Sequence, residues 1–183
     1  MTVPRRGVFP GSFDPPTTAH LAIAEAARHR HGLDSIDLAI SRVALVKRTP
    51  DAAAFDERVR VLGLIAQRIA WLGVVVTDDQ LVADIAAGYD VVIMGADKWA
   101  QVNDPAFYAG DPHARDLAVG HLPTVAIAPR PPWEAPDEFR LEVDPIHRLT
   151  SSSRARAGEV HLMVEEAARH DRETREWTGR QPS

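Results

Sequence analysis

Apolar and polar positions form two kinds of block that alternate along the chain. Short runs of consecutive apolar residues, such as Val91-Val92-Ile93-Met94, predict strands that are buried on both faces. Longer blocks repeat an apolar residue every three or four positions, which predicts amphipathic helices. The predicted strands are residues 5–9, 35–46 with a kink near Ser41, 74–77, 89–94, 124–128 and a small sixth strand at 141–143. The predicted helices are Thr18–His31 ended by Gly32, a helix from about residue 55 closed by Gly73, residues 80–87 and 160–170, with short helices and loops over 98–120.

This alternation of strands and helices predicts an α/β fold. Strands separated by helices pair in parallel, because a parallel connection needs a crossover of about a helix in length. We therefore expect a Rossmann-like, doubly wound parallel sheet with helices on both faces, which binds its ligands beyond the carboxyl ends of the strands. The 183 residues suit one domain, placed at residues 1–170, followed by a polar, frayed C-terminal tail at 171–183.

Composition and charge narrow the class of protein. Hydrophobic residues make up 45% of the chain, which is typical of a globular protein and not of a disordered one. A net charge of −5 gives no general attraction for nucleic acid or an anionic membrane, so neither partner is expected. No apolar run could span a bilayer and the N-terminus lacks the apolar core of a signal peptide, which favours a cytoplasmic protein. The absence of cysteine excludes disulfides and thiolate metal sites, and we expect no metal held by protein ligands.

The first predicted strand is followed by a loop rich in proline and glycine, and a helix starts directly behind it. Free backbone N–H groups and the positive end of the helix dipole make such a helix start a site for anions. Thr17 and His20 lie three residues apart and share a face there. A plain helix cap at Thr17 with a surface histidine is the structural alternative, but a cap alone does not require the Gly-Ser-Phe-Asp-Pro of residues 11–15.

A second cluster of hydroxyl and basic residues precedes the last predicted helix. Residues 150–156 are Thr-Ser-Ser-Ser-Arg-Ala-Arg. Hydroxyl groups at a helix start favour a second anion site, and Arg156 in the first turn would oppose the helix dipole unless an anion lay nearby. A serine-rich linker that ends in a helix cap is the alternative, and the residues of this cluster alone favour neither interpretation.

Together, the two clusters resemble the paired motifs of the nucleotidylyltransferase superfamily. Residues 11–20, Gly-Ser-Phe-Asp-Pro-Pro-Thr-Thr-Ala-His, are similar to the family's G-[ST]-F-D-P-x-[HT]-x-G-H, and residues 151–156 are similar to its S-S-T-x-x-R. Ala19 stands where the family normally has glycine, and Ser153 replaces the threonine. Thr17 in place of histidine is an option of the family, seen in phosphopantetheine adenylyltransferases.

A further resemblance lies in the middle of the chain. Gly95-Ala96-Asp97 resembles the G-A-D of nicotinate or nicotinamide mononucleotide adenylyltransferases, whose aspartate lies near the nucleotides. By the same resemblance Trp99 would stack on a substrate ring, Arg130 would follow a strand as a substrate-binding arginine, and Lys47 would contact phosphates. The structural alternatives are a helix cap at Asp97, a core or rim aromatic at Trp99 and a solvated loop lysine at Lys47. The stretch after residue 156 does not resemble those enzymes, which leaves the acceptor open.

The resemblance implies an enzyme that transfers AMP from ATP to nicotinate or nicotinamide mononucleotide and releases pyrophosphate, with Mg²⁺ carried by the nucleoside triphosphate. The implied catalytic residues are Thr17, His20, Lys47 and Arg156, the nucleotide-binding residues are Gly11, Ser12, Phe13, Gly95, Asp97, Ser151, Ser152 and Ser153, and the acceptor-binding residues are Trp99 and Arg130. Two alternatives stay open: an adenylyl- or cytidylyltransferase for another acceptor such as phosphopantetheine, and a non-catalytic nucleotide-binding module. The number of subunits is also open, with a homo-oligomer among the alternatives.

Overall fold

Five parallel strands form the sheet of the computed structural model, which describes residues 3–43 and 52–179 apart from the side chain of Ala53. The strands are β1 (Arg6–Pro10), β2 (Ser35–Ser41), β3 (Leu72–Thr77), β4 (Val91–Gly95) and β5 (Thr124–Ala128), in the spatial order β3-β2-β1-β4-β5. The helices are α1 (Thr18–His31), α2 (Ala52–Arg68), α3 (Val82–Ile85), α4 (Ala96–Val102), α5 (Pro112–Gly120), α6 (Pro145–Arg148), α7 (Ser152–Arg156) and α8 (Glu165–Thr174), with 3₁₀ turns at Pro105–Tyr108 and Val160–Leu162.

Both faces of the sheet are covered. In β4, Val91 and Ile93 belong to a core shared with α1, α2 and α8, whereas Val92 and Met94 belong to a second core shared with α4 and α5. All four side chains are at most 1% exposed. Their continuous apolar run therefore reflects burial on both sides, and the Rossmann-like, doubly wound fold expected from the sequence is confirmed.

The strand order sets the place of a ligand crevice. After β3 the chain crosses back to put β4 beside β1, with Gly7 of β1 opposite Val91 of β4. The connections that follow these two neighbouring strands lead to opposite faces of the sheet, and this opens a crevice at their carboxyl ends. The segment after β1 is the first motif, and the segment after β4 begins with Gly95-Ala96-Asp97.

Several predicted ends of helices and strands are confirmed, and others differ in the structure. Helix α1 covers the predicted residues and ends at Gly32, whose φ of 59° is left-handed, and β5 also has its predicted limits. The second strand ends at Ser41, while residues 44–46 of its predicted extension lie outside the described residues. The third strand begins at Leu72, so Gly73 does not close a helix. A side chain at Gly73 would collide with the carboxylate of Asp37 on β2, which explains the glycine.

Two predicted elements near the C-terminal end are wrong. Residues 141–143 form no strand, although Leu141 is buried and its N–H donates to the carbonyl of Ile127 at 2.8 Å. The single helix predicted over 160–170 is instead the turn Val160–Leu162 followed by α8. The chain is extended between them because the backbone N–H of Val164 donates to Pro16 in the first motif, at 3.2 Å. A helix through this point could not make that bond.

The C-terminal residues pack on the domain. Helix α8 continues to Thr174, across the boundary placed at residue 170, and Trp177 is fully buried. Residues 171–179 are therefore not frayed, in contrast to the expectation from their polar sequence, and residues 180–183 lie outside the described residues. Within the described residues, no helix has the length and apolarity needed to cross a membrane.

Candidate active site

The first motif forms the loop between β1 and α1, and its last residues fix the orientation of His20. Thr17 precedes the helix in an extended conformation, and its backbone N–H donates to Nδ1 of His20 at 2.9 Å. The Thr17 hydroxyl lies 2.9 Å from the same nitrogen. Because Nδ1 accepts a hydrogen bond, the neutral imidazole carries its proton on Nε2. The helix cap and the tautomer of His20 thus depend on one interaction.

The surroundings of His20 favour this neutral form. Its ring packs against Phe13 and Phe9, at 5.1 and 5.9 Å between ring centroids. Burial, and secondarily the positive charge of Arg130, lower the pKa of His20 from 6.5 to about 4. At neutral pH the residue therefore offers an N–H donor without a charge.

Two buried side chains, those of Phe13 and Arg58, support the motif loop. Phe13 is 1% exposed and adopts a φ of 45°, a strained conformation for a residue other than glycine. Arg58 of α2 is 5% exposed, and its guanidinium donates to the carbonyl of Ser12 at 3.0 Å. These contacts fix the backbone at the Ser12 carbonyl and at Phe13, while the exposed Ser12 side chain lines the crevice region.

The second motif is hydrogen-bonded to the first. The Ser152 hydroxyl of α7 donates to the carbonyl of Pro15 at 2.8 Å. The Arg156 guanidinium donates to the carbonyl of Asp14 and, at 3.2 Å, to the hydroxyl of Ser153. Ser151 caps α7 by accepting from the backbone N–H of Arg154. Two clusters that stand near opposite ends of the sequence therefore form one surface.

A third group of residues lies at the ends of β4 and β5. Asp97 in the first turn of α4 forms an ion pair with Arg130 at 3.4 Å, and both side chains are about one-third exposed. Gly95 caps α4, and a side chain there would approach the Asp97 carboxylate to 2.5 Å. The glycine thus leaves room for Asp97 to turn toward Arg130.

These three groups line one open cleft with a volume of about 560 Å³, a size typical of sites for small molecules and cofactors. Among the described residues, five Lys or Arg side chains and two Asp side chains line this cleft. The cations are Arg58, Lys98, Arg130, Arg148 and Arg156, and the acids are Asp14 and Asp97. Although the chain carries a net charge of −5, the cleft is locally positive and suits an anionic ligand.

The sequence profile of the cytidylyltransferase-like family matches residues 8–158, which include both motifs and all five strands except the first two residues of β1. The chain belongs to the cytidylyltransferase-like family. The expected membership of the nucleotidylyltransferase superfamily is therefore confirmed, with similarity to nicotinate mononucleotide adenylyltransferases.

Curated relatives of this cytidylyltransferase-like chain match it over a shorter stretch. Proteins named probable nicotinate-nucleotide adenylyltransferase in Listeria monocytogenes serotypes 4a and 4b are each 38% identical over 63 residues, 34% of this chain and 34% of the relative. A protein of the same name in Listeria innocua serovar 6a is 38% identical over 61 residues, 33% of this chain and 32% of the relative. The matched stretch thus spans about a third of the length of these relatives.

A solved structure matches the cytidylyltransferase-like fold over nearly the whole chain. It is the nicotinic acid mononucleotide adenylyltransferase of Plasmodium falciparum complexed with NaAD, with a TM-score of 0.69 over 97% of this chain and 99% of that one. The sequences are 12% identical, so this likeness concerns the fold.

The cytidylyltransferase-like structure brings most of the predicted site residues together. Those that line the cleft are Gly11, Ser12, Thr17, His20, Gly95, Asp97, Arg130, Ser151, Ser152, Ser153 and Arg156. Phe13 lies beneath the loop and supports the His20 ring instead of facing the cleft. Trp99 is half-buried, packs edge-on against Phe139 beside the second core and is not among the described residues that line the cleft, so its stacking on a substrate stays a prediction. Lys47 lies outside the described residues.

Sequence reasoning missed several residues of the cleft. His147 and Arg148 of α6 and Lys98 of α4 line it, although neither motif contains them. Lys98 follows the Asp97 of the G-A-D segment, and its position in the first turn of a helix after a strand was a usable signal. His147 and Arg148 offered no comparable signal, because their approach to the cleft depends on tertiary packing.

The acidic side chains of the cleft are engaged with cations or with an indole. Asp97 pairs with Arg130, and Asp14 contacts Arg156 and Trp177. Across residues 3–43 and 52–179 there is no cluster of three or more His, Cys, Asp or Glu residues that could hold a metal ion.

Proposed function

We propose that this protein is a nucleotidylyltransferase that transfers AMP from ATP to a phosphate monoester, nicotinate mononucleotide, and releases pyrophosphate. The observation that carries the proposal is the direct contact between the two motifs, through Ser152 to Pro15 and Arg156 to Asp14. This contact assembles one continuous wall that presents His20, three serine residues and a guanidinium to the same cleft.

The reaction needs alignment and charge stabilisation more than proton transfer. An oxygen of the acceptor phosphate, already largely ionised near neutral pH, forms a bond to the α-phosphorus of the nucleotide. The bond from that phosphorus to the pyrophosphate oxygen breaks, and pyrophosphate leaves with the bonding electrons. No general base is required, which agrees with the engagement of Asp14 and Asp97 by cationic partners.

His20 would act as a fixed hydrogen-bond donor in this step. With Nδ1 occupied by the Thr17 N–H, the Nε2–H is available to an α-phosphate oxygen as charge develops on it. Arg156 and the hydroxyls of the second motif would hold the β- and γ-phosphates, and the N-terminus of α1 adds backbone N–H donors. Preorganisation of these donors is the main contribution of the protein to the rate.

Mg²⁺ would be held mainly by the triphosphate and would neutralise part of its charge. The chain's own residues would then orient the complex. Arg130 lines the same cleft as the first motif, and its charge suits an anionic group of the acceptor. The named relatives and the solved structure support a mononucleotide as this acceptor.

The test is pyrophosphate release from ATP or CTP in the presence of Mg²⁺ and one of three acceptors. These are nicotinate mononucleotide, nicotinamide mononucleotide and 4′-phosphopantetheine. We expect ATP with nicotinate mononucleotide to give the highest kcat/KM. The variant His20→Ala should lose at least ~10²-fold in kcat, the scale of removing one preorganised donor to a developing charge.

Each other outcome has a defined meaning. Turnover with a different nucleotide or acceptor would retain the class of reaction and replace the substrate. Tight binding of ATP without pyrophosphate release from any pair would indicate a non-catalytic nucleotide-binding module. Turnover of His20→Ala within about threefold of the wild type would remove His20 from the mechanism.

A further inference from the structure

The chain turns back after α8 and forms a C-terminal hook, residues 175–179. Arg175 has a φ of 56°, and its N–H donates to the carbonyl of Asp171. The buried Asp171 carboxylate accepts from the backbone N–H groups of Trp177 and Thr178, at 2.8 and 3.0 Å, and from the Thr178 hydroxyl at 2.6 Å. Burial alone would raise the pKa of Asp171, but these hydrogen bonds lower it below its usual value. The hook is therefore fixed to α8 by a charged anchor.

The hook places one side chain against the first motif. Trp177 is fully buried, and its ring packs edge-on against His170 at 5.4 Å between centroids. Its indole Nε1–H donates to Oδ1 of Asp14 at 2.9 Å. This hydrogen bond connects residues 163 positions apart in the sequence.

The two oxygens of the Asp14 carboxylate thereby contact different side chains. The indole of Trp177 takes Oδ1, while Oδ2 lies 3.5 Å from Nη1 of Arg156. A bidentate pair between a guanidinium and a carboxylate has two parallel bonds of about 2.7–2.9 Å. The observed Arg156 contact is longer, and its guanidinium also donates to the Asp14 backbone and to Ser153.

We propose that Trp177 is a positioning residue for Arg156. By holding Oδ1 of Asp14, the indole prevents the carboxylate from turning to pair with Arg156 through both oxygens. The guanidinium then stays at the cleft wall, where it can exchange its weak contact with Oδ2 for a phosphate oxygen. This inference rests on the proposed function, because it assigns Arg156 to a nucleoside triphosphate.

Trp177→Phe removes the indole N–H and keeps an aromatic ring. Freed from the indole, Asp14 should pair more strongly with Arg156 and compete with the triphosphate. We expect the Kd for Mg²⁺ with α,β-methylene ATP, measured by calorimetry, to rise about tenfold, the scale of a hydrogen bond to a charged group. KM for ATP should rise in parallel, with kcat within about threefold of the wild type.

Asp14→Asn distinguishes positioning from a loss of packing. The amide oxygen of asparagine can still accept from the indole, but the neutral side chain cannot form an ion pair with Arg156. In the Asp14→Asn background, Trp177→Phe should therefore change the Kd by less than about threefold, far less than in the wild type. Trp71→Phe is the matched control. Trp71 immediately precedes β3, which is an edge strand of the sheet, and the Arg28 guanidinium stacks on its ring. It should leave the Kd unchanged.

The outcomes separate this inference from the proposed function. If Trp177→Phe binds the nucleotide as tightly as the wild type, or weakens binding equally in both backgrounds, the inference is overturned. A thermal unfolding midpoint recorded for every variant shows whether each protein is folded under the assay conditions. Failure of the wild type to release pyrophosphate would overturn the catalytic proposal alone, because the Kd comparison needs no turnover.

Discussion

Replacing His20 with glutamine removes one titrating group from the cleft and keeps an acceptor for the Thr17 N–H. Glutamine is a common residue at this third helical position, where its side chain completes the same kind of cap. The folded pKa of His20 is about 4 and its ordinary value is 6.5. Between these values the unfolded chain binds a proton that the folded protein does not, so His20 makes the protein less stable as the pH falls.

The size of this effect follows from the two pKa values. Between pH 7 and pH 5 the protonation of His20 in the unfolded state should cost the wild type about 2 kcal/mol of unfolding free energy, and about 3 kcal/mol once the pH is below 4. Above about pH 7 the imidazole is mostly neutral in both the folded and the unfolded state, so little further change in the unfolding free energy is expected. His20→Gln should lack this particular dependence, while the other titrating groups remain.

Urea unfolding of both proteins at pH 7 and pH 5 provides the assay. The wild type should lose about 2 kcal/mol more than His20→Gln over this interval. In an NMR titration of the imidazole signals, the His20 signal is assigned by its absence from the variant. This signal should still be that of a neutral ring at pH 5. An equal loss of stability in the two proteins, or a His20 ring that titrates near 6.5, would refute the assignment of His20 as a neutral donor at the cleft.

Two further substitutions test the support of the motif loop and the unusual alanine. Arg58→Met should lower the unfolding free energy by about 2 kcal/mol, because it removes a buried charged donor to Ser12, whereas the exposed Arg60→Met should cost less than about 1 kcal/mol. Urea unfolding at pH 7 compares the two, and equal losses would contradict a special role for Arg58. Ala19→Gly should cost about 0.5–1 kcal/mol in the same assay, because glycine loses more conformational freedom in a helix than alanine does. It should change kcat/KM by less than about threefold, because the Ala19 side chain lines the cleft but is only 4% exposed. A tenfold rise in kcat/KM would show that its methyl group obstructs the ligand.

Local signals in the sequence predicted the elements whose ends depend on nearby residues. Gly32 ends α1 because it adopts the left-handed conformation required there, and the apolar run of β4 matches a strand buried on both sides. The loop after β1 was also predicted, because Thr17 and His20 are neighbours on the same helix start. These features need no knowledge of distant contacts.

Features set by distant partners were mispredicted or missed. Helical periodicity continues through Met163 and Val164, but their backbone pairs with Thr17 and Pro16, which no local pattern reveals. The residues after Asp171 are mostly polar, and this composition suggested fraying. The one large apolar side chain among them, the buried Trp177, forms no pattern that would predict packing. The edge-on contact between the half-buried Trp99 and Phe139 was missed in the same way, because the two residues lie 40 positions apart in the sequence.

The separation of 163 positions between Asp14 and Trp177 has a consequence for the order of folding. Residues so far apart meet only after a large loop closes, and the entropy of that closure is not compensated until the intervening sheet has formed. During synthesis from the N-terminus, the loop around Asp14 emerges early but gains its indole partner only when nearly all the described chain has left the ribosome. A nascent chain that stops after α7 would hold both sequence motifs and still lack the contact that orients the carboxylate. Completion of this cleft is therefore a late event in the maturation of the protein, even though its first motif is translated before most of the described residues.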